Sequence, residues 1–274
     1  MNAAAPPIAL VVSDVDGTLV TTDKRLTPAT RAAVKRLGEA GIGFTVASSR
    51  PPVGLRDLIA ELDLRLPLGA FNGSTLVAPD LTVLSETLIP AATAREAAAR
   101  LAEAGLDVWV FAQGAWNLRD PHAPYADLER RTLGVEPAVV GSLDPLLDAA
   151  AKIVGVGADA AHLAACETAL AAALGTGADV HRSQAYYLDV TPAGAGKGGF
   201  VDALSRRLGI DRARIAALGD AGNDVPMFSR AGLSIAMGNA SPAVQAAARV
   251  VTASNDAEGF SRAIDEFVLH RHPA

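Results

Sequence analysis

The chain of 274 residues contains one cysteine, Cys166, so no disulfide can form within it. That cysteine lies in an alanine-rich helical stretch and reads as a small packing or surface residue. Aromatics are scarce, at 4%, which leaves aliphatic side chains to fill the interior. The abundance of alanine points to tightly packed helices. Positive charge is also in deficit: the net charge is −6. Nucleic acid and anionic membranes bind through clustered Lys and Arg, so both are disfavoured as partners. A small anionic substrate stays open, because it responds to the local field, and a divalent cation can reverse that field's sign. Long apolar runs are missing. The run at 8–12 is far too short for a signal peptide or a membrane span. The opening Met1-Asn2-Ala3-Ala4-Ala5-Pro6-Pro7 has no basic n-region. A cytoplasmic protein is expected. Internal repeats and low-complexity linkers are absent too.

What is present has the order of an α/β protein. Ile8-Ala9-Leu10-Val11-Val12 is a continuous apolar run of the kind that suits a strand covered on both faces. Thr27-Pro28 then opens a helix, with Thr27 as N-cap, Pro28 at the first helical position, and Val34, Leu37 and Ala40 as its apolar stripe. Gly41 suits the left-handed end of that helix. Residues 42–47 form a second apolar strand, which completes a right-handed βαβ pattern. A similar alternation closes the chain: a helix over 198–208, a strand from Arg214 to Leu218, a short helix over 223–231, a strand from Gly232 to Ala236, and an edge strand at Arg249-Val250-Val251. The middle differs. It has alanine-rich helices over 93–104 and 158–174, each ended by a glycine, and strand-like pieces at Asp107–Ala112, Ala115–Leu118, 151–156 and 186–190. Pro121-His122-Ala123-Pro124 and Glu136-Pro137 read as surface turns. The expected architecture is a Rossmann-like, doubly wound parallel sheet built from 1–84 and 190–274, with an α/β domain inserted at 85–189.

Acidic motifs follow two of the apolar strands. Asp14-Val15-Asp16-Gly17-Thr18-Leu19 comes directly after the first, and Gly219-Asp220-Ala221-Gly222-Asn223-Asp224 after the strand at 214–218. In an open α/β sheet, ligands sit beyond the carboxyl ends of the strands. Two acids two residues apart repel one another unless a cation lies beside them. Gly17 lets the chain turn without a Cβ clash. Between the acidic motifs come Val46-Ala47-Ser48-Ser49-Arg50 after the second strand and Gly194-Ala195-Gly196-Lys197-Gly198 before a helix. A nucleotide phosphate loop is excluded at the latter, since Thr191 stands where its first Gly is required and Gly198 where it needs Ser or Thr. Asn72-Gly73 is, as bare sequence, a turn.

Together these motifs resemble the haloacid dehalogenase superfamily of phosphohydrolases. Phe71-Asn72-Gly73 and Ile235-Ala236-Met237-Gly238-Asn239-Ala240 are similar to the Cof-type branch, which carries a large α/β cap between its second and third motifs. The resemblance implies that Asp14 is a nucleophile forming an aspartyl-phosphate, and that Asp16 is a general acid and then a base. It implies that Ser48 hydrogen-bonds the phosphoryl group and that Lys197 neutralises phosphate and nucleophile. Gly17, Thr18, Ser49, Arg50, Asn72, Gly73 and Asn223 would surround the phosphate. Ser49 stands where this class has glycine. Mg²⁺ is the implied cofactor, held by Asp14, Asp220, the backbone carbonyl of Asp16, and Asp224 as a further or supporting group. Oxygen ligands suit Mg²⁺, and the lack of a His/Cys cluster argues against zinc.

The function so implied is Mg²⁺-dependent hydrolysis of a small phosphorylated metabolite, sugar phosphates first, with nucleotides, pyridoxal phosphate and flavin mononucleotide open. The alternatives are a phosphomutase or other phosphotransferase using the same aspartyl-phosphate, and a non-catalytic module that binds a phosphate ligand. The insert would select the leaving group, with Trp109, Trp116, Arg119, His122, Tyr125, Arg182, Gln184 and Tyr186 as its candidate substrate-facing side chains. The oligomeric state is not legible in the sequence.

Overall fold

A computed structural model of the chain describes residues 6–271. The stretch read above from residues 1–5 lies outside them, as do 272–274. The chain enters through β1 (Leu10–Ser13), α1 (Pro28–Glu39), β2 (Gly43–Val46) and α2 (Arg56–Leu62). A small antiparallel sheet follows, made of β3 (Leu68–Ala70), β4 (Thr75–Val77) and β5 (Val83–Glu86). The middle contains α3 (Ala91–Glu103), β6 (Asp107–Ala112), β7 (Ala115–Leu118), α4 (Ala126–Leu133) and β8 (Ala138–Val139). It continues with β9 (Ala150–Val156), α5 (Ala160–Leu174), β10 (Ala178–Gln184) and β11 (Tyr187–Pro192). The last stretch carries α6 (Lys197–Leu208), β12 (Ile215–Gly219), α7 (Val225–Phe228), β13 (Leu233–Ala236), α8 (Pro242–Ala247), β14 (Val250–Val251) and α9 (Gly259–Ala263).

The expected parallel sheet is present, in the order β14-β13-β12-β1-β2. Its central strands are buried on both faces, and side chains alternate between them. Val11 joins one hydrophobic cluster with Leu37, Phe44 and Phe260. Leu10 and Val12 join the other, with Phe200, Val201 and Leu204. Thr27 caps α1 by accepting from the Thr30 amide, with Pro28 next. After β1 the chain proceeds to β2 on one side; after β12 it proceeds to β13 on the other. The connections diverge between β1 and β12, which opens a crevice at their carboxyl ends.

The second sheet has the order β10-β11-β9-β6-β7-β8 and is antiparallel except for the β7–β8 pair. Leu101 of α3 and Leu163, Leu170 and Leu174 of α5 join one hydrophobic cluster with Val108, Val110, Ile153 and Leu188 of its strands. A separate cluster gathers Trp109, Phe111, Trp116 and Tyr187, and Phe71 from the first segment packs into it, 5.3 Å from Phe111 between ring centroids. This corrects the expectation that Trp109 faces substrate, since it is 0% exposed; Trp116 lines a cleft of about 580 Å³ with Phe71, Phe111 and Val135. Trp109, Phe111, Trp116 and Tyr187 are pooled on the second sheet, while Phe44, Phe200 and Phe260 pack around the parallel sheet. The short helix expected over 223–231 is a 3₁₀ turn, Gly222–Asp224, followed by one turn of α-helix. Among the described residues no helix is long and apolar enough to cross a membrane.

Candidate active site

Residues from both ends of the chain meet at the crevice. Ser13 pairs with Leu218, and the Asp14 amide donates to the Leu218 carbonyl at 2.9 Å. Asp14 and Asp220 therefore leave adjacent strands side by side. Gly17 has φ +92°, and a Cβ there would collide with the Asp220 carboxylate, so both conformation and space demand glycine. Thr18 Oγ1 donates to Asp220 Oδ1 at 2.7 Å. Asp224 folds back over the loop: its Oδ2 accepts from the amides of Asp220 (2.8 Å) and Ala221 (2.9 Å). Lys197, the first residue of α6, donates to Asp224 Oδ1 at 2.6 Å and also to Asp14 Oδ1. One carboxylate oxygen from each of Asp14, Asp220 and Asp224 lies within 4.8 Å of the others.

Two of the three acids, Asp14 and Asp224, thus share one directly bonded ammonium. Burial raises the Asp14 carboxyl well above its ordinary value, although Lys197 opposes this; Asp224 and Asp220 push it further. Asp220 is pushed up to about 6 by burial and then by Asp224. Burial alone would lower Lys197, but Asp14 and Asp224 outweigh it and hold the lysine above its usual value. The cluster is short of positive charge, and its hard oxygen donors fit a divalent cation.

Asp16 lies apart from that cluster. Arg50 grips it with two hydrogen bonds, Nε to Oδ2 at 2.8 Å and Nη2 to Oδ1 at 2.7 Å. Lys24, with φ +63°, adds an ion pair at 2.8 Å. Burial would raise the Asp16 carboxyl, but Arg50 and Lys24 hold it well below the usual carboxylate range. Ser48 Oγ accepts from the Arg50 amide at 3.1 Å. Ser49 does not have the positive φ that would favour glycine, and its carbonyl accepts from Lys152 Nζ at 3.2 Å.

Asn72 is buried with φ +61° and links three segments. Its Oδ1 accepts from Asn223 Nδ2 at 3.0 Å, and its Nδ2 lies 2.7 Å from His181 Nε2. Gly73 has φ +96°, and a Cβ there would strike Phe200. This glycine fits the packing of the Asn72 turn against α6.

A cleft of about 50 Å³ adjoins Asp16, lined by Lys24, Ser49 and Arg50 on one side and by Glu129, Lys152, Gln184 and Tyr186 on the other. Gln184 and Tyr186, two of the candidate substrate-facing residues, line this cleft, and Tyr125 stacks on Tyr186 at 4.3 Å. The remaining candidates are elsewhere. Arg119 lines a different cleft with Arg95 and Leu147, Arg182 is ion-paired to Glu167 at 2.8 Å, and His122 is exposed. A roomier cleft of about 630 Å³ between Val34, Phe44 and Leu64 contains none of the candidate residues. Lys24, Glu129, Lys152 and His181 were not singled out in the sequence. None lies in a recognisable motif; only the positive φ of Lys24 and the docking of the second sheet bring them here.

Comparison with known proteins gives the same assignment. Residues 11–264 match the family model of haloacid dehalogenase-like hydrolases. The HMP-PP phosphatase of Cronobacter sakazakii is 32% identical over 242 residues, covering 84% of each chain. The 5-amino-6-(5-phospho-D-ribitylamino)uracil phosphatase YwtE of Bacillus subtilis is 25% identical, covering 94% of this chain and 97% of its own. The crystal structure of a haloacid dehalogenase-like hydrolase from Bacteroides thetaiotaomicron superposes with a TM-score of 0.81 at 28% identity, covering 94% of this chain and 98% of that one. With its acids at the switch point of a doubly wound sheet and a family match across nearly its whole length, the chain belongs to the haloacid dehalogenase-like hydrolases, in the Cof-type branch.

Proposed function

We propose that this phosphate-ester hydrolase cleaves small phosphate monoesters by passing the phosphoryl group to Asp14 and then to water. The observation that carries this reading is Lys197 bridging Asp14 and Asp224 beside Asp220. A carboxylate nucleophile is thereby fixed against a cation, next to donors for a metal. Asp14 and Asp220, with the Asp16 carbonyl, would hold Mg²⁺. Both oxygens of Asp224 are already committed to Lys197 and to two amides, so Asp224 would orient Asp220 and Lys197. When bound, Mg²⁺ supplies charge neutralisation to the phosphoryl oxygens.

Asp14 attacks phosphorus in line and the ester oxygen leaves. Lys197 and Ser48 stabilise the equatorial charge. Asp16, ionised in its Arg50–Lys24 clamp, is in the form that removes a proton from the hydrolytic water. To protonate the leaving oxygen in the first step, that clamp must loosen. Gly17, Thr18, Ser49, Arg50, Asn72, Gly73 and Asn223 shape the phosphate pocket. Residues 85–189 act as a cap over the core formed by 1–84 and 190–274. The proposed substrates are small phosphorylated metabolites of the cytoplasm, sugar phosphates first. Two relatives, an HMP-PP phosphatase and a 5-amino-6-(5-phospho-D-ribitylamino)uracil phosphatase, support that class.

Replacing Asp14 by Asn should abolish Mg²⁺-dependent release of phosphate from p-nitrophenyl phosphate while the protein stays folded. Turnover retained by that variant would sink the assignment. Release of p-nitrophenol only when an acceptor alcohol is added, with the phosphoryl group recovered on that alcohol and no free phosphate formed, would instead favour the phosphotransferase.

A further inference from the structure

The cleft beside Asp16 contains one charged group whose partners are incomplete. Its cations are committed: Arg50 and Lys24 hold Asp16 at 2.7 and 2.8 Å, and Lys152 pairs with Asp189 at 2.7 Å while donating to the Ser49 carbonyl. Glu129, on α4, differs. Among the described residues it has no ion-pair partner, and its single hydrogen bond comes from the Tyr187 hydroxyl to Oε2 at 3.0 Å. Tyr187 is buried in the aromatic cluster, where it meets Trp109 and Tyr186 edge-on, so this tether is rigid. Oε1 of Glu129 has no donor in the fold. Glu129 is half-buried and lines the cleft, so its carboxylate keeps acceptor capacity for whatever enters there. Burial pushes the Glu129 carboxyl up, although the charge of Lys152 and the Tyr187 hydrogen bond oppose this. The cleft has room for a short polar arm rather than a ring.

We infer that Glu129 reads the leaving group: its Oε1 accepts a hydrogen bond from a hydroxyl or amino group on the alcohol half of the substrate. The chain would then prefer monophosphates of hydroxyl- or amino-bearing alcohols and disfavour those with an anion at that place. This rests on the phosphatase reading of the site and adds a substrate class and the residue that selects it.

The test compares sorbitol phosphate, phosphoglycerate and p-nitrophenyl phosphate across wild type, Glu129→Ala and Glu129→Gln. The ratio of kcat/KM for sorbitol phosphate to that for p-nitrophenyl phosphate should fall about 10- to 100-fold in Glu129→Ala, with the loss in KM. Glu129→Gln keeps an acceptor oxygen but loses the charge, so its ratio should fall less and its use of phosphoglycerate should rise. An unchanged ratio, or an equal loss on both substrates, overturns the inference. If Glu129→Ala does not fold, Glu129→Gln carries the same comparison. Calorimetric titration of sorbitol phosphate into Asp14→Asn and Asp14→Asn/Glu129→Ala separates the two claims. Weaker binding to the double variant supports Glu129 even if the wild type turns nothing over, an outcome that would sink the hydrolase alone. Equal binding overturns the role of Glu129.

Discussion

Lys197→Met is the most informative perturbation of the carboxylate cluster. Methionine keeps the apolar stem of the lysine and removes its charge. In the wild type, Lys197 is 2% exposed and bonds both Asp14, 5% exposed, and Asp224, 0% exposed. Without it, two buried carboxylates face each other and Asp220 with no bonded cation. Breaking a buried ion pair from one side costs about 3–5 kcal/mol. For a chain of this size each kcal/mol moves the melting temperature about 2–4 °C, so a loss of about 10 °C is expected in chelator. A divalent cation should restore part of it, because it replaces the missing charge. Lowering the pH should also narrow the deficit, since the freed carboxyls can then protonate. Adding Asp14→Asn to Lys197→Met should recover stability relative to the single variant, as expected for groups in direct contact. Scanning calorimetry of the wild type, both single variants and the double variant measures all of this. If Lys197→Met melts within about a degree or two of wild type in chelator, a deficit of under about 1 kcal/mol, the charge argument fails.

Two further outcomes follow from the same geometry. Gly17→Ala puts a Cβ against Asp220 at φ +92°, so metal affinity and turnover should fall by at least about tenfold while the parallel sheet persists. Isothermal titration with Mg²⁺ reads this, and unchanged affinity would refute it. The second concerns pH. The folded carboxyl of Asp220, at about 6, lies above its unfolded value of 3.8. Its contribution to stability is therefore full below the unfolded value and is lost as pH rises through about 6. Metal binding needs the ionised form. The gain in melting temperature on adding Mg²⁺ should thus be small near pH 5 and larger near pH 7.5; an equal or opposite trend would contradict it.

Much of the architecture could be read from the sequence because central parallel strands leave a strong trace. Residues 10–12 and 215–218 are continuous apolar runs since both faces are covered. The acids that follow them stand at the carboxyl ends of the strands, where such a sheet receives ligands. The caps at Thr27-Pro28 and the positive φ of Gly17 and Gly73 were similarly local. The second sheet was harder. Its buried strands β6, β7, β9 and β11 could be read, but β8 is exposed and β10 mostly half-exposed, and α4 has too few apolar residues to announce itself. Trp109 looked like a substrate contact because rare aromatics attract that reading; it is buried against Trp116 and Tyr187 of other strands in the same sheet, which no local pattern records. The clamp of Arg50 and Lys24 on Asp16, and the reach of His181 to Asn72, are likewise properties of tertiary contact.

The pairing of β1 with β12 has a temporal consequence. The bond from Thr18 to Asp220 spans 202 positions, and that from Lys197 to Asp14 spans 183. During synthesis the N-terminal part emerges first, so Asp14 is exposed to solvent long before Lys197 and Asp220 have been made. A nascent or truncated chain ending before Lys197 would carry Asp14 without Lys197 or Asp220 beside it. The hydrolytic centre is thus a late product of folding, and fragments of this protein should be chemically silent.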